Sequence, residues 1–369
     1  MAWKNPKASY VFIFGVGRGN ATFIRTGLNH GFIVDMGASE DFSPADFIDK
    51  NLIPMLSEYT SGEKHTPRKV AQIVLSHPHT DHLSEIGRIK EAKPGAVALD
   101  PALLTCPHHK QPLEGMPDES LDWSRIKNPG GTEGLVETYK SLYEKRTLPL
   151  QTIKYNLADD VPGLEYGIYY VRPPVCAELH PKVDHEYGNA TSLVFYYRHG
   201  KQSLLLPADI TPDAIKQILY DKDGTEKRYT IFDKNSSERN PEWSTKTVDQ
   251  PSLSSRLGRL GLTVLVAPHH GLESCYSPEL YDAIKGGRPN LVVLSEKRKA
   301  GPNDGKTDSR YTSEAGAIGV EVDVEGNRET RRYLSTSNGS NILIVFHGSD
   351  SPPKIYARKK AEDLIALVS

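Results

Sequence analysis

The chain has 369 residues, of which 37% are hydrophobic and 25% are charged, and its formal net charge at pH 7 is −2. This composition is typical of a soluble globular protein of one large domain or two ordinary ones, and the charge gives no general attraction to nucleic acid or anionic membranes. No apolar stretch approaches the roughly 20 residues of a membrane-spanning helix, and the N-terminus lacks the apolar core of a signal peptide. Because the only cysteines are Cys106, Cys176 and Cys275, we expect a cytoplasmic protein without disulfides.

The first part of the chain predicts strands and helices around a glycine-rich loop that runs from Gly15 to Asn20. The predicted elements are a strand on each side of that loop, a buried strand ending at Asp35, a helix over 41–62, a strand over 70–76 and a short helix over 82–92. A polar segment rich in proline and glycine follows at 100–165, with one helix expected over 134–146. We interpret this segment as an insertion.

The second part of the chain returns to strand-like apolar runs. The predicted elements are strands over 166–174, 191–200, 201–210, 260–271 and 289–297, a helix over 211–220, and a hairpin-like pair of strands over 331–346. Residues 221–252 form a second polar insertion with little periodicity. Because the strands come in two clusters, each followed by helices, the sequence predicts a layered α/β or α+β fold.

Three histidines and an aspartate lie within six positions in the sequence LSHPHTDHLSE, directly after a predicted buried strand. Imidazole nitrogen and carboxylate oxygen are ligands that Zn²⁺, Mn²⁺ and iron accept. The spacing allows His77 and His79 to face one metal ion, and Asp81 and His82 to face a second one nearby. The alternative is a set of ordinary surface histidines, which this pattern at a strand end disfavours.

Two later strands also end in candidate ligands. Asp209 follows the run LLLPA, where an unpaired carboxylate would be costly, and we interpret it as a bridge between two cations rather than as a helix cap. His269 and His270 follow the run VLVAP. Adjacent histidines project differently, so we expect one to bind metal and the other to face substrate, with His270 preferred as the ligand over a purely structural pair.

One ligand of the first metal site remains open at the level of the sequence. His180, His185 and Asn189 are all candidates for completing it, and the sequence does not choose among them. The sequence CPHH at 106–109 also contains metal-ligating residue types. We interpret it as incidental because it lies in an insertion without matching partners.

The order of a strand-end HxHxDH, a strand-end aspartate and a strand-end histidine resembles the metallo-β-lactamase superfamily, over about residues 10–346. Within it, the chain is most similar to the hydrolase domain of the DNA-uptake competence protein and its soluble relatives. That branch has DVGQGDA, IDTG, a segment LHP…NxxSLV, LLTGD and HHG. They are matched here by GVGRGNA at 15–21, VDMG at 34–37, LHP at 179–181 with NATSLV at 189–194, LLPAD at 205–209 and HHG at 269–271.

The chain departs from that branch at several positions. Gly15 and Asn20 replace the two acidic residues of the opening loop, which has gained Arg18. Ala208 stands where the family usually has glycine. The third histidine of the superfamily's first metal site corresponds to Asn189, as in that branch. These departures leave the metal ligands intact and leave the substrate open.

The resemblance implies an α+β fold, a four-layer αββα sandwich forming one hydrolase domain over 1–369 with insertions at 100–165 and 221–252. It implies two Zn²⁺ ions, or Mn²⁺, that hold a bridging hydroxide. It assigns the first metal to His77, His79 and Asn189, the second to Asp81, His82 and His270, and both to Asp209. It assigns catalytic roles to Asp81 and His269. Asp35 would orient the metal-binding turn, and Arg18 would bind the substrate.

The resemblance also implies hydrolysis of phosphodiesters, by a nuclease or a small phosphodiesterase. Basic clusters at 297–299, 331–332 and 358–360 favour nucleic acid only modestly, because charge runs are usually solvated faces. An ester, lactone or amide hydrolase of the same fold and a non-catalytic metal-binding scaffold are the alternatives. We expect no association with membranes.

Overall fold

The structure is a computed structural model, and it describes a set of segments that together contain every strand-end motif named above. These segments are 2–56, 70–89, 99–107, 121–126, 133–145, 152–153, 163–222, 228–232, 245–296 and 306–369. The basic cluster at 297–299 and the histidines of CPHH at 108–109 lie outside the described residues. None of the helices within these segments has the length and apolarity that crossing a bilayer requires.

The described strands and helices follow one another along the whole chain. The strands are β1 (Ser9–Ile13), β2 (Thr22–Arg25), β3 (Gly31–Val34), β4 (Val70–Val74), β5 (Pro101–Thr105), β6 (Thr152–Ile153), β7 (Leu164–Tyr169), β8 (Val194–His199), β9 (Gln202–Leu206), β10 (Arg228–Phe232), β11 (Thr245–Asp249), β12 (Val264–Val266), β13 (Leu291–Leu294), β14 (Val320–Val324), β15 (Asn327–Arg331), β16 (Tyr333–Ser335), β17 (Asn341–Phe346) and β18 (Lys354–Arg358). The α-helices are α1 (Pro44–Phe47), α2 (Thr80–Leu83), α3 (Glu133–Lys145), α4 (Pro173–Leu179), α5 (Asp184–Ala190), α6 (Pro212–Leu219), α7 (Leu253–Leu260), α8 (Pro278–Ala283), α9 (Ser309–Thr312) and α10 (Ala361–Val368).

Two large sheets contain most of these strands. The first sheet has the order β15-β14-β18-β17-β1-β2-β3-β4-β5, and the second has the order β16-β13-β12-β9-β8-β7. In the first sheet, β3, β4 and β5 run parallel to one another. In the second, β9, β12, β13 and β16 run parallel. Parallel neighbours bring their carboxyl ends to one edge of a sheet, where loops can place functional side chains.

Alternation along the strands separates two faces of each sheet. Val11 and Ile13 of β1 join Leu204 of β9 and Val264 of β12 in a core between the sheets. Phe12 of β1 instead belongs to a second core, which lies under the helices and includes residues of α6, α7, α8 and α10. Side chains of a strand point alternately to opposite faces, so this pattern means helix, sheet, sheet and helix layers. The predicted α+β sandwich of the αββα type is confirmed.

Several predicted elements differ from the structure. In place of the helix expected over 41–62, the described residues up to 56 form the short α1, a π-helical turn (Ile48–Leu52) and a 3₁₀ turn (Ile53–Met55), and 57–62 lie outside the described residues. Pro54 in that turn lacks the N–H that an α-helix would need, and Leu56 is extended. The helix expected over 82–92 begins earlier, as α2, and gives way to a 3₁₀ turn (Ile86–Arg88).

The prediction of a hairpin-like pair of strands over 331–346 is wrong. β16 pairs in parallel with β13 in the second sheet, whereas β17 pairs antiparallel with β1 in the first. The turn between them therefore carries the chain from one sheet to the other. The sequence did not predict the hairpin of β14 and β15, the strand β18, or the helices α4, α5, α7, α8, α9 and α10.

The two predicted insertions are joined by a small third sheet. Its order is β11-β10-β6, so β6 of the first insertion pairs in parallel with β10 of the second. The first insertion also packs on α5 through Arg125, whose Nε lies 3.2 Å from Oδ1 of Asp184. The backbone N–H of Asp122 donates to the hydroxyl of Tyr187, 2.9 Å away. These contacts connect the first insertion to the helix that carries His185 and Asn189.

Candidate metal centre

The carboxyl ends of strands from both sheets meet at one edge of the sandwich, which we call the site edge. β3 ends just before Asp35, β4 just before Ser76 and His77, β9 two residues before Ala208, and β12 shortly before His269. The opposite ends of the strands form the other edge. The site edge therefore gathers residues that are far apart in the sequence.

The first group of candidate ligands consists of His77, His79 and Asp209, whose ligand atoms lie within 4.8 Å of one another. All three side chains are buried. Nε2 of His77 lies 3.1 Å from Nδ1 of His79 and 3.8 Å from Oδ2 of Asp209. The structure thus brings together His77, His79 and Asp209, three of the four residues that the sequence assigns to the first metal.

The second group consists of Asp81, His82, Asp209 and His270, again within 4.8 Å of one another. Nε2 of His270 lies 3.3 Å from Oδ2 of Asp81 and 3.3 Å from Oδ2 of Asp209. Nε2 of His82 lies 3.2 Å from Oδ1 of Asp209. Asp209 is common to the two groups, which is the position that a bridging carboxylate must occupy.

The spacing of these atoms fits a divalent metal ion such as Zn²⁺. Tetrahedral coordination with bonds of about 2.0–2.2 Å places neighbouring ligand atoms about 3.3 Å apart, close to the distances given above. The buried Nε2 of His82 has no hydrogen-bond partner among the described residues, although Asp209 lies nearby. Since an unpaired buried nitrogen is costly, the arrangement favours a metal ion as the missing partner.

Buried histidines and carboxylates at the centre shift one another's pKa values. Burial lowers the pKa of His79 to about 4, which leaves its ring neutral and able to bind a cation. Burial alone would lower the pKa of His270, but the carboxylates of Asp209 and Asp81 raise it to about 9. Burial alone would raise the pKa of Asp209, but the neighbouring histidines, His270 first, hold it well below its ordinary value. Without metal, the second group is therefore a set of charged pairs.

Asp35 orients the turn between β4 and α2. Its carboxylate accepts hydrogen bonds from the backbone N–H of Ser76 at 2.7 Å and from the hydroxyl of Ser76 at 2.8 Å. It also lies 2.7 Å from Nδ1 of His82. Oγ of Ser76 in turn lies 3.0 Å from Nδ1 of His77. Since the Nδ1 atoms are engaged by these partners, the Nε2 atoms of His77 and His82 are the ones that face Asp209.

The three candidates for completing the first group occupy different positions. His180 uses Nδ1 with Glu186 at 3.2 Å and Nε2 with Thr211 at 3.1 Å, so both of its ring nitrogens are engaged away from the centre. His185 is exposed, and its ring lies 6.4 Å from that of His79. Asn189 is buried, and its Oδ1 has no hydrogen-bond partner among the described residues.

Asn189 also follows a glycine that touches the first group. A Cβ on Gly188 would lie 2.7 Å from Nε2 of His79, so only glycine leaves room for that ring. The close approach places the end of α5 against His79. Of the three candidates, Asn189 is the one whose buried oxygen has no hydrogen-bond partner among the described residues, which favours it as the residue that completes the first group.

The glycine-rich loop covers the second group. A Cβ on Gly19 would lie 2.1 Å from the backbone oxygen of Asp81, and the N–H of Gly19 points to Nδ1 of His270 at 3.5 Å. The hydroxyl of Ser295, at the end of β13, donates to the carbonyl oxygen of Gly17 at 3.3 Å. Arg18 lies between these two glycines and is half-buried. The loop thus holds Arg18 beside the residues of the second group.

Several residues of the centre have a left-handed backbone. The φ angles are 61° at Asp35, 52° at Ala208, 46° at His269 and 60° at His270. This region costs free energy for any residue with a Cβ and is often found at functional sites. It also explains why glycine is usual at the position of Ala208, since glycine adopts such angles without a penalty.

His269 lies beside the two groups without being part of either. Its Nε2 is 3.6 Å from Oδ2 of Asp209, and its ring lies 6.3 Å from the ring of His185. Its Nδ1 lies 3.0 Å from Sγ of Cys275. His270 rather than His269 therefore joins the second group.

The comparisons with known proteins agree with this geometry over part of the chain. Residues 14–114 match the family model described as "Metallo-beta-lactamase superfamily". The resemblance to this superfamily is thereby confirmed for a stretch that runs from the end of β1 past β5 and contains His77, His79, Asp81 and His82. No protein in the search of the curated proteins matches the chain.

Three residues of the centre were missed by the sequence analysis. Ser76 connects Asp35 to His77, Gly188 packs against His79, and Cys275 contacts His269. Ser76 could have been found, because it directly precedes the histidine motif at the end of a strand. The other two carry no local signal, since their contacts arise only where separate elements meet.

Proposed function

We propose that the protein is a metal-dependent hydrolase that binds two divalent cations, Zn²⁺ or Mn²⁺, and cleaves phosphodiesters. The observation that carries this proposal is the position of Asp209, which is common to two groups of buried metal-ligating side chains. A carboxylate between two sets of imidazoles suits two cations close together, an arrangement found in phosphatases and nucleases. The match of residues 14–114 to the superfamily supports the hydrolase part of the proposal.

The proposed ligands are distributed unequally. His77, His79, Asn189 and Asp209 would hold one cation, and Asp81, His82, His270 and Asp209 the other. Such cations supply an acidified water as nucleophile and positive charge that stabilises the transition state. Since a neutral amide oxygen is a poorer zinc ligand than imidazole, the first site is expected to be the weaker one.

Residues around the cations would orient the ligands and bind the substrate. Asp35 holds the ring of His82 so that Nε2 faces Asp209. His269 presents Nε2 beside Asp209 without belonging to either group. Arg18, on the loop that packs on Asp81, would bind an anionic oxygen of the substrate with its guanidinium group.

A phosphodiester suits this arrangement better than a neutral ester or a β-lactam. Two cations can clamp the attacking and the leaving oxygen of an in-line displacement at phosphorus. The similarity of GVGRGNA and LLPAD to the hydrolase branch of the DNA-uptake competence protein supports the same substrate class. We therefore propose that the chain lies closest to that branch.

The surface charges favour a small phosphodiester over a long nucleic acid. Arg331 lies 2.8 Å from Glu329, and Arg332 lies 2.8 Å from Glu314. Arg358 lies 2.7 Å from Asp323. Because acidic partners accompany these arginines, they contribute little net positive potential to a phosphate backbone.

The proposal is tested by metal analysis together with a substrate panel. The panel contains bis-nitrophenyl phosphate, single-stranded and duplex DNA, RNA, a lactone and a β-lactam, each with Zn²⁺ or Mn²⁺. We expect turnover of bis-nitrophenyl phosphate, its loss in His79→Ala and Asp81→Ala, and mainly a raised KM in Arg18→Ala. His347→Ala and Asp350→Ala, which change the same residue types at the other edge, should retain turnover.

The other outcomes select among the alternatives. Hydrolysis of the lactone without cleavage of any phosphodiester would replace the phosphodiesterase with an ester, lactone or amide hydrolase. Two bound metal ions with no turnover of any substrate would favour a non-catalytic metal-binding scaffold. Cleavage of DNA or RNA in preference to bis-nitrophenyl phosphate would identify a nuclease.

A further inference from the structure

The contact between His269 and Cys275 is not used by the proposed ligand set. Nδ1 of His269 lies 3.0 Å from Sγ of Cys275, and the cysteine side chain is buried. The other ring nitrogen, Nε2, lies 3.6 Å from Oδ2 of Asp209. The imidazole thus connects a buried thiol on one side to the metal-ligating carboxylate on the other.

Backbone contacts hold both partners of this pair in place. The backbone N–H of His269 donates to the carbonyl oxygen of Ala208 at 2.9 Å, which joins the histidine to the loop that carries Asp209. The backbone N–H of Cys275 donates to the carbonyl oxygen of Leu272 at 3.0 Å. The hydroxyl of the buried Tyr311 donates to the carbonyl oxygen of Cys275 at 3.5 Å. The thiol is therefore fixed against one side of the ring.

The chemistry of the thiol decides which ring nitrogen carries the proton. Burial raises the pKa of Cys275 to about 11, so the sulfur keeps its hydrogen at neutral pH and is not a thiolate nucleophile. At slightly alkaline pH, where the tautomer is to be measured, an imidazole ring is ordinarily neutral. When a neutral imidazole accepts a hydrogen bond at one nitrogen, its proton lies on the other nitrogen.

We propose that Cys275 is a positioning residue that donates its S–H to Nδ1 of His269 and so keeps the imidazole proton on Nε2, facing the substrate. This inference rests on the proposed function and deepens it. His269 then donates a hydrogen bond from Nε2 to the oxygen on which negative charge develops. No proton leaves the ring in this role, so it differs from proton donation to a leaving oxygen, which would turn a neutral ring into an imidazolate.

The tautomer can be measured without any activity. The protein is labelled with ¹⁵N-histidine, and long-range ¹H–¹⁵N spectra are recorded at slightly alkaline pH, with and without Zn²⁺. His269→Gln identifies the signals of His269. We expect the Nε2–H tautomer in the unmodified protein and in Cys275→Ser, whose hydroxyl can also donate, and a mixture of tautomers in Cys275→Ala. Cys176→Ala, which removes a different buried thiol, should leave the signals unchanged.

Steady-state kinetics on bis-nitrophenyl phosphate test the consequence. Loss of a single donor to a developing oxyanion costs about 10²–10³ in kcat, so a partly misoriented one should cost roughly tenfold or more. Cys275→Ala should lower kcat to that extent with KM and metal content unchanged, and Cys275→Ser should restore most of it. Circular dichroism shows whether each variant is folded, and metal analysis shows whether its metal content is unchanged.

The results separate this inference from the proposed function. An Nδ1–H tautomer or a doubly protonated ring in the unmodified protein would overturn the inference, whatever the activity. So would a folded Cys275→Ala variant that matches the unmodified protein in both tautomer and kcat. Failure to hydrolyse any substrate would remove the proposed function, while the spectra would still decide whether the thiol fixes the tautomer.

Discussion

The two edges of the sandwich both bury histidines among polar groups, but they satisfy them in different ways. At the site edge, His82 has Asp35 on Nδ1 and leaves Nε2 without a hydrogen-bond partner among the described residues. At the other edge, Nδ1 of His199 lies 2.9 Å from the hydroxyl of Ser9, which lies 2.6 Å from the hydroxyl of Tyr197. Arg25 of that cluster donates to the carbonyl oxygens of Ala8 and Pro6.

The difference shows how a buried polar cluster is built for binding rather than for stability. Around His199, the neighbours include the hydroxyl group of Ser9 and the cation Arg25, so a neutral ring suits the cluster. Around Asp209, ring nitrogens of His77, His82 and His270 converge on one carboxylate. Such a group favours the binding of a cation that accepts lone pairs, such as a divalent metal ion.

Asp209→Asn should have the largest effect on the metal centre at the site edge. Removing the shared negative charge leaves both groups without their common ligand, so we expect loss of both metal ions. The loss of kcat/KM should exceed the roughly 10–100-fold that follows removal of a group merely supporting a ligand. Metal content after dialysis and hydrolysis rates check this prediction, with the exposed Asp350→Asn as control. Retention of two metal ions per chain would contradict it.

Gly188→Ala should remove metal binding by the first group and leave metal binding by the second group. The new Cβ would meet Nε2 of His79 at 2.7 Å, so the first group should lose its metal while the second retains one. Metal analysis should then give half the metal content of the unmodified protein. Gly258→Ala is the matched control, because the nearest atom to its Cβ, the carbonyl oxygen of Ala283, lies 3.8 Å away. Equal metal content in the two variants would show that Gly188 is not near a metal site.

Asp35→Asn should weaken the metal centre without removing a ligand. The carboxylate lies 2.7 Å from Nδ1 of His82 and accepts from Ser76, so its loss frees both the ring and the turn. Metal affinity should fall by about 10–100-fold. Competition with a chromophoric chelator measures this, and an affinity equal to that of the unmodified protein would exclude an orienting role for Asp35.

His199→Gln should change the pH dependence of stability at the other edge. Burial, together with Arg25 and His347, lowers the pKa of His199 to about 4, from an ordinary value near 6.5. The folded state therefore favours the neutral ring. The contribution of this ring to the free energy of unfolding is fully present above pH 6.5 and is lost as the pH falls from 6.5 towards 4. Between pH 7 and pH 5 the loss is about 2 kcal/mol.

Urea unfolding at several pH values checks this prediction. The comparison is the slope of unfolding free energy against pH, because the substitution itself changes the stability at every pH. His199→Gln should flatten the slope between pH 7 and pH 5. An unchanged slope would mean that His199 does not contribute to it.

The sequence predicts the site edge well because its signals are local. Each of His77, Asp209 and His270 follows an apolar strand within a few residues, and parallel strands in a layered sheet bring such ends together. Their roles as metal ligands remain predictions. The layered fold class could be predicted because apolar runs come in two clusters, each followed by helices, and the αββα arrangement followed from the resemblance.

Features that depend on contacts between distant segments could not be predicted. β6 has only two residues, so it is too short to show the apolar–polar alternation that would predict a strand or its pairing with β10. β16 pairs with β13 in the second sheet although the next strand, β17, pairs with β1 in the first, and nothing in the residues of β16 indicates this. Cys275 lies in a 3₁₀ turn (Glu273–Cys275), where its sequence gives no reason to expect contact with His269.

The division of the candidate ligands between the two sheets has a consequence for folding. His77 and His82 follow a strand of the first sheet, whereas Asp209 and His270 follow strands of the second. A metal ion bound by both would act as a cross-link between the two sheets. Because these ligands come together only when the sheets dock, we expect the ion to be captured late in folding. A chelator should accordingly accelerate separation of the sheets during unfolding.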